Sequence, residues 1–133
     1  GTVYTHFGKR NKTQVFLSRN MLNNETEKYR DNDDSKPENL ILNYVSTEEE
    51  NKLRIEHSGR TGGYRWLLGG GTEFAQYGID ETTKFVTSQG LIERAFVSNL
   101  DLFKFSAFSR VNTNISGILL SASLRFDGSN YKR

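Results

Sequence analysis

Apolar and polar residues alternate most regularly near the end of the chain, in residues 118–127. The even positions are all apolar, and the odd positions are polar except for Leu119. Side chains of a β-strand point alternately to its two faces, so this segment predicts a strand with one apolar face and one polar face. An amphipathic helix would need apolar residues three and four positions apart, a spacing that the segment does not have. The apolar row consists of Ile118, Leu120, Ala122, Leu124 and Phe126.

The same alternation recurs along the chain and predicts seven or eight antiparallel strands with no helix. The predicted strands cover residues 3–7, 13–21, 39–46, 53–60, 64–77, 100–111 and 118–127, and an optional short strand covers 91–97. Glycine-rich or charged segments predict turns at 8–12, 47–52, 61–63 and 112–117. Residues 22–38 and 78–98 are predicted to be long polar loops.

The predicted strand at 64–77 has aromatic residues near both of its ends. Tyr64, Trp66 and Phe74 share its even face. At roughly 3.3 Å per residue the two groups of rings lie on the order of 25–33 Å apart. That separation fits the two aromatic girdles on either side of the apolar band of a membrane β-barrel. Three core aromatics in a soluble sheet would produce the same pattern, so both interpretations stay open.

Composition favours the membrane interpretation. The chain has 133 residues, of which only 35% are hydrophobic and 12% are aromatic, and its mean hydropathy is −0.66. Such a low aliphatic content makes a packed soluble core difficult to form, whereas each strand of a membrane barrel has one face toward a polar lumen. The net charge of +2 is too small to indicate a nucleic-acid partner, and without cysteine the sequence has no disulfide or thiolate site.

Two stretches carry a family resemblance. The string Leu-Arg-Phe-Asp at 124–127, with the preceding hairpin at 105–117, resembles a barrel hairpin of TonB-dependent outer-membrane receptors. In that family a strand often ends in Leu-Arg-aromatic-Asp before an extracellular loop. The strand that contains Trp66 and Gly-Gly-Gly-Thr-Glu-Phe at 69–74 is also similar to barrel strands of the family. The Asn-rich loops suggest its Bacteroidota branch, and the resemblance covers residues 53–133.

The resemblance implies an antiparallel transmembrane β-barrel in the bacterial outer membrane. In the family, a 22-stranded barrel closes around an N-terminal plug and imports a nutrient with energy passed through TonB. Because the chain is short and contains no recognisable plug or TonB box, we expect residues 1–133 to be part of a single barrel domain, a fragment of seven or eight strands. The nutrient would be a glycan, a peptide or a metal chelate.

The resemblance also implies the partners. They are the rest of the receptor chain with its plug, the TonB complex reached through the plug, outer-membrane lipid and, optionally, a surface lipoprotein. No nucleic acid, no cofactor and no enzymatic activity are expected. Ligand contacts would come from the loops at 22–38 and 78–98 and from polar side chains that face the lumen. The lumen-facing candidates are Arg65, Glu73, Lys104 and Arg125.

No catalytic or metal-binding residues are predicted. Asp31, Asp33 and Ser35 have the spacing that starts an EF-hand loop, but Lys36 stands where that loop needs glycine and Leu42 where it needs glutamate. The glycines at 69–71 lack the spacing of a phosphate-binding loop. A solvated acidic loop and strand glycines that allow close packing are the expected interpretations.

Two other functions are compatible with the strand pattern. A complete eight-stranded outer-membrane barrel could act as an anchor or adhesin, and a soluble lipocalin-like barrel would bind a ligand inside an apolar lumen. One expectation also conflicts with the membrane interpretation. The predicted strand directions put the loop at 22–38 on the periplasmic side, where turns are short in such barrels.

Overall fold

The computed structural model describes residues 1–88 and 90–131 and consists almost entirely of β-strands. The strands are β1 (Thr2–Phe7), β2 (Asn11–Tyr29), β3 (Leu40–Thr61), β4 (Tyr64–Thr87), β5 (Gly90–Ile115) and β6 (Ile118–Ser129). Two single 3-10 turns, Arg30–Asn32 and Pro37–Asn39, lie between β2 and β3. Within the described residues, no helix is long and apolar enough to cross a membrane.

The six strands form one antiparallel sheet in the order of the sequence, β1 to β6. The prediction of an all-β, antiparallel chain is therefore confirmed. Over the described residues the sheet is not closed into a barrel, and β1 and β6 are its edge strands. The strand count is six rather than seven or eight, because two pairs of predicted segments are joined into single strands.

The first join is in β3, where the predicted turn at 47–52 is wrong. The three consecutive glutamates and the following Asn51 and Lys52 suggested a charged turn, yet β3 continues through them from Leu40 to Thr61. Strand pairing uses backbone N–H and C=O groups, and a charged side chain interrupts it only where that side chain would be buried without a partner. Here Glu48 is exposed and Glu50 forms an ion pair with Lys52, so the ladder continues.

The second difference concerns the predicted loops. The loop at 22–38 is shorter than predicted, because β2 extends to Tyr29 and irregular structure is confined to the ten residues before Leu40. The predicted loop at 78–98 is wrong, since β4 reaches Thr87 and β5 begins at Gly90. The optional strand at 91–97 is part of β5. Residue 89 lies outside the described part.

The corrected strands remove the conflict over loop positions. In an antiparallel sheet whose strands follow the chain order, successive connections alternate between its two ends. With one turn fewer before residue 61, the direction assigned to the strands before it, and to the connection after β2, is reversed. The extra turn predicted at 47–52 had inverted the direction of every strand before it.

Contacts within the chain divide it into two compact units. Unit 1 comprises residues 1–19, 50–74 and 102–133, and unit 2 comprises residues 20–49 and 75–101. Unit 1 contains the turns after β1, β3 and β5. Unit 2 contains the end of β2 with the start of β3, and the end of β4 with the start of β5. Ala75 in unit 2 is the one apolar residue of the described part that is buried. The sheet therefore has no packed core of its own.

In unit 1 the pairing of β5 with β6 separates two faces. The register sets Ala107 opposite Phe126, Val111 opposite Ala122 and Ile115 opposite Ile118. These residues and every second residue along each strand from them belong to an apolar face, and the alternate positions belong to a charged face. The predicted row of Ile118, Leu120, Ala122, Leu124 and Phe126 is therefore confirmed as one side of β6, and Leu124 is 78% exposed.

Three glycines of unit 1 lie under aromatic rings of neighbouring strands. A Cβ added to Gly69 would come within 2.3 Å of the Phe108 ring, and one added to Gly59 within 2.6 Å of the Trp66 ring. Phe105 covers Gly128 in the same way, at 2.5 Å. The missing side chain allows each ring to lie flat on the adjacent backbone. These stacks fix the positions of rings on both faces of unit 1.

Candidate functional site

The charged face of unit 1 is the candidate functional site. Its members come from alternate positions of β3 to β6 and from Phe16 of β2, and contacts between strands show that they share one side of the sheet. Arg54 lies near the Phe16 and Phe108 rings, and Lys104 contacts Glu73. The charged face is defined here by Phe16, Glu50, Lys52, Arg54, Glu56, Glu73, Lys104, Phe108, Arg110, Arg125 and Asp127.

Glu73 links three strands near the middle of this face. Its Oε1 accepts a hydrogen bond from Lys104 Nζ at 2.7 Å, and its Oε2 lies 3.5 Å from Lys52 Nζ. Lys52 also contacts Glu50 Oε2 at 2.8 Å. The Glu73 carboxylate thus contacts two ammonium groups from different strands, and Glu50 is a second carboxylate partner of Lys52. Because the lysine side chains are nearly half exposed, each pair contributes only about 0.2–1 kcal/mol.

Arg54 lies between two aromatic rings. Its guanidinium carbon is 5.1 Å from the centroid of Phe108 and 6.0 Å from that of Phe16, both within the range of a cation–π interaction. Glu56 on the same strand forms an ion pair with it. Gly69 allows the Phe108 ring to lie across β4, and the ring in turn holds the guanidinium over the sheet.

Arg125 and Asp127 form the outermost pair, on the edge strand β6. Arg125 donates from Nε and Nη2 to the two carboxylate oxygens of Asp127, both at 2.7 Å. A bidentate pair of this kind fixes the plane of the guanidinium. The residues are two positions apart on one strand, and strand alternation therefore puts them on the same side.

Two adjoining grooves lie on the charged face and share Arg54, Phe108 and Arg125. The larger groove has a volume of about 540 Å³ and is also lined by Lys52, Glu73, Lys104 and Asp127. The smaller groove, of about 280 Å³, is also lined by Arg110 and Ser123. Its described lining includes three arginines and no carboxylate. Gly71, on the same side of β4 as Glu73, adds no side chain to the floor of the larger groove.

The four predicted ligand-binding candidates do not all come together. Glu73 and Lys104 form an ion pair, and Arg125 lines the same groove. Arg65 lies on the same side of β4 but outside the lining of both grooves. The sequence analysis missed five contributors: Lys52, Arg54, Phe108, Arg110 and Asp127. The alternation of Glu50, Lys52, Arg54 and Glu56 was the available signal, but half of it was assigned to a turn.

Unit 2 has its own polar cluster in the loop after β2. The Asp33 carboxylate accepts hydrogen bonds from Ser35 N at 3.1 Å, from Ser35 Oγ at 2.5 Å and from Asn39 Nδ2 at 3.0 Å. The bonds from Ser35 stabilise the charged carboxylate and lower the pKa of Asp33. No group of three or more His, Cys, Asp or Glu side chains in the described residues is arranged to hold a metal ion.

Tyr29 closes β2 beside this loop. Its hydroxyl donates a hydrogen bond to Glu27 Oε2 at 2.7 Å. The carboxylate accepts a hydrogen bond from the neutral phenol and repels a phenolate, and these effects raise the pKa of Tyr29. The cluster therefore organises the loop, and neither group is poised for proton transfer at neutral pH.

Comparison with known proteins adds no relative to this description. No protein-family model matches the chain, and neither the curated proteins nor the solved structures searched contain a match.

Proposed function

We propose that this chain forms part of the wall of a TonB-dependent receptor, a transmembrane β-barrel that imports a nutrient across the bacterial outer membrane. The observation that carries the proposal is the pair of unlike faces in unit 1. A single sheet has an apolar face with no protein layer over it in the described residues, and an opposite face with interlocked charges. Lipid would cover the first face, and a polar lumen would accommodate the second.

The position of aromatic residues on the apolar face supports a membrane band. Tyr64 and Trp66 begin β4 beside a short turn, and Phe74 follows them by ten and eight residues, close to the roughly 9–11 residues with which a tilted strand crosses the hydrocarbon core. At the Phe74 end, the Phe105 ring lies 6.2 Å from Phe103 and 5.9 Å from Phe126. Aromatic girdles of outer-membrane barrels flank an apolar band of about 25 Å.

The connections support the same assignment. Outer-membrane barrels have short turns on the periplasmic side and longer loops outside. In this chain the short turns alternate with two longer hairpins, whose strands of 19–26 residues exceed the 9–11 residues that cross the hydrocarbon core. The surplus would extend above the membrane and carry the loops that meet the nutrient. Open edges at β1 and β6 would pair with further strands of the receptor.

Cysteine labelling on intact cells tests the proposal directly, because the sequence has no native cysteine. Ser35→Cys places a thiol in the long loop of unit 2, and Lys9→Cys places one in the short turn after β1; both positions are exposed. A membrane-impermeant maleimide should label the Ser35→Cys protein on intact cells and the Lys9→Cys protein only after permeabilisation. Equal labelling of both, or recovery of the protein from the water-soluble fraction, would refute the membrane assignment.

Import itself requires a second measurement. Uptake of the nutrient that supports growth should depend on this gene and should stop when TonB is removed. If the labelling pattern is as expected but uptake persists without TonB, the chain belongs to another class of outer-membrane barrel, such as the anchor or adhesin. The two measurements therefore separate the location of the chain from its transport role.

A further inference from the structure

We propose that the two grooves around Phe108 bind a small anion that carries at least two carboxylate or phosphate groups. The proposal rests on the proposed function in one respect, because the charged face must be open to water in the assembled protein. It goes further in naming the chemistry of a ligand and the residues that would hold it. Neither the labelling pattern nor TonB dependence requires it.

The first support is the balance of charge in the lining. Five cations line the grooves, whereas Glu73 and Asp127 are the carboxylates that line them, so the described lining has a net charge of +3. Glu50 and Glu56 pair with Lys52 and Arg54 but do not line either groove. With these two partner carboxylates counted against the five cations, the net charge is +1, and Arg110 is the cation of the lining that the described ion pairs leave over. The cations are Lys52, Arg54, Lys104, Arg110 and Arg125.

The second support is the geometry of the donors. Phe108 lies at the boundary of the grooves, with the Arg54 guanidinium over its ring and Arg125 directly opposite it on β6. Arg110, two positions along β5, faces the smaller groove. Guanidinium groups bind carboxylate and phosphate through parallel N–H donors. The stacking of Arg54 on Phe108 and the pairing of Arg125 with Asp127 fix the planes of two of the three guanidinium groups without a ligand.

The third support is the arrangement of the lysines. Lys52 and Lys104 both contact the carboxylate of Glu73, and both ammonium groups line the larger groove although Lys52 also contacts Glu50. An anionic group in that groove would be attracted to both lysines. A ligand with two anionic groups could thus contact the arginines with one group and the lysines with the other. The combined size of the grooves suits a small molecule rather than a protein surface.

The residue that tests the proposal most cleanly is Arg110. It lines the smaller groove, is exposed, and takes no part in the ion pairs around it, so Arg110→Gln should not disturb folding. Arg94→Gln is the matched control. Arg94 is also an exposed arginine on the same side of β5, but it lies in unit 2 and outside both grooves.

The experiment measures binding of succinate and of inorganic phosphate to the complete receptor in zwitterionic detergent by calorimetry. At least one of the two probes should bind, with an affinity that falls as salt increases. Arg110→Gln should weaken binding by about tenfold, Arg110→Lys should restore part of it, and Arg94→Gln should leave it unchanged. The stronger probe identifies carboxylate or phosphate as the preferred group.

Each remaining outcome is decisive. If neither probe binds to protein that behaves as a folded barrel, or if both glutamine variants bind equally well, the anion site is refuted and the membrane assignment stands. If a water-soluble protein binds succinate or phosphate through Arg110, the membrane assignment fails and the anion site stands. Heat-modifiable migration on gels reports whether each variant has folded.

Discussion

The two units of this chain use opposite sides of the same strand. In unit 1 the apolar residues of β4 occupy even positions, such as Trp66, Leu68 and Phe74. In unit 2 the even positions carry polar contacts instead: Gln76 donates a hydrogen bond to Asp101 at 3.0 Å, and Lys84 lies 4.0 Å from Glu93. The apolar residues there occupy the odd positions Tyr77, Ile79 and Phe85.

The apolar residues of β4 thus move from even to odd positions, and this shift is called the change of phase below. It does not come from a break in strand pairing. Glu73 pairs with Lys104, Gln76 with Asp101 and Lys84 with Glu93, so each step forward on β4 matches one step back on β5. A bulge would have shifted that correspondence by one residue. The sequence itself changes which side is apolar, between Phe74 and Tyr77. Under the proposed function, this is where the strand leaves the lipid and its outer side meets water.

The largest expected effect is on the apolar face of unit 1. Under the proposed function, Leu124→Arg should destabilise the folded protein by about 2–4 kcal/mol, because the guanidinium would enter the hydrocarbon of the bilayer. Ser123→Arg, one position away and on the charged face, should cost much less. Urea unfolding in lipid vesicles measures both values. Equal losses for the two variants would contradict the assignment of faces in unit 1.

A second effect concerns the stack that holds the charged face in place. Gly69→Ala should destabilise the protein by about 1–3 kcal/mol, because its Cβ would overlap the Phe108 ring and displace it from β4. Gly63→Ala is the matched control, since its Cβ would meet only Thr113 Oγ1, at 4.0 Å. The same unfolding measurement applies. A harmless Gly69→Ala would show that the ring has another position available.

A smaller effect is expected in unit 2. Phe85→Arg should change stability by only about 0–1 kcal/mol, because the cost of an arginine falls outside the midplane region and Phe85 is already 50% exposed. Thr83→Arg, on the same side of the strand, provides the comparison. If Phe85→Arg costs as much as Leu124→Arg, the two units share one environment, and the change of phase has another cause.

The smallest effect is a local dependence on pH. The pKa of Asp33 is lower in the folded loop than in the unfolded chain, so its contribution to stability is present above the unfolded pKa, ordinarily near 3.8, and is lost as pH falls through the folded pKa. NMR titration should show the Ser35 amide losing protection only in that acidic range. Asp33→Asn should remove the dependence, and a transition at neutral pH would contradict the assignment.

The sequence predicted unit 1 well because most of its strands have one apolar and one polar side. Residues 64–74 and 118–127 lie in predicted strands with the observed facing, and the turn at Gly62 and Gly63 was also expected. Phe16 and Phe108 are exceptions to the alternation in the sequence, because each is an apolar residue at a position that belongs to the polar face of its strand. Their rings flank Arg54, and this explains both exceptions.

Unit 2 was predicted poorly for the same physical reason. The change of phase after Phe74 interrupts the alternation, so the distal parts of β4 and β5 resembled a loop. The glutamates at 48–50 resembled a turn, although Glu50 pairs with Lys52 two positions along the same strand. The Glu73–Lys104 pair was also out of reach, because it depends on the register of β4 with β5.

The cross-strand pair of Glu73 with Lys104 has a consequence for biogenesis. If β5 slipped by one residue against β4, the carboxylate of Glu73 would face Phe103 or Phe105 across the ladder, and aromatic residues would move to the side that carries the charges. A β4–β5 hairpin in this shifted register would have charged residues of β5 on the apolar face and aromatic residues of β5 on the charged face. Under the proposed function, such a hairpin would present charged side chains to the lipid and so could not insert before its register was corrected.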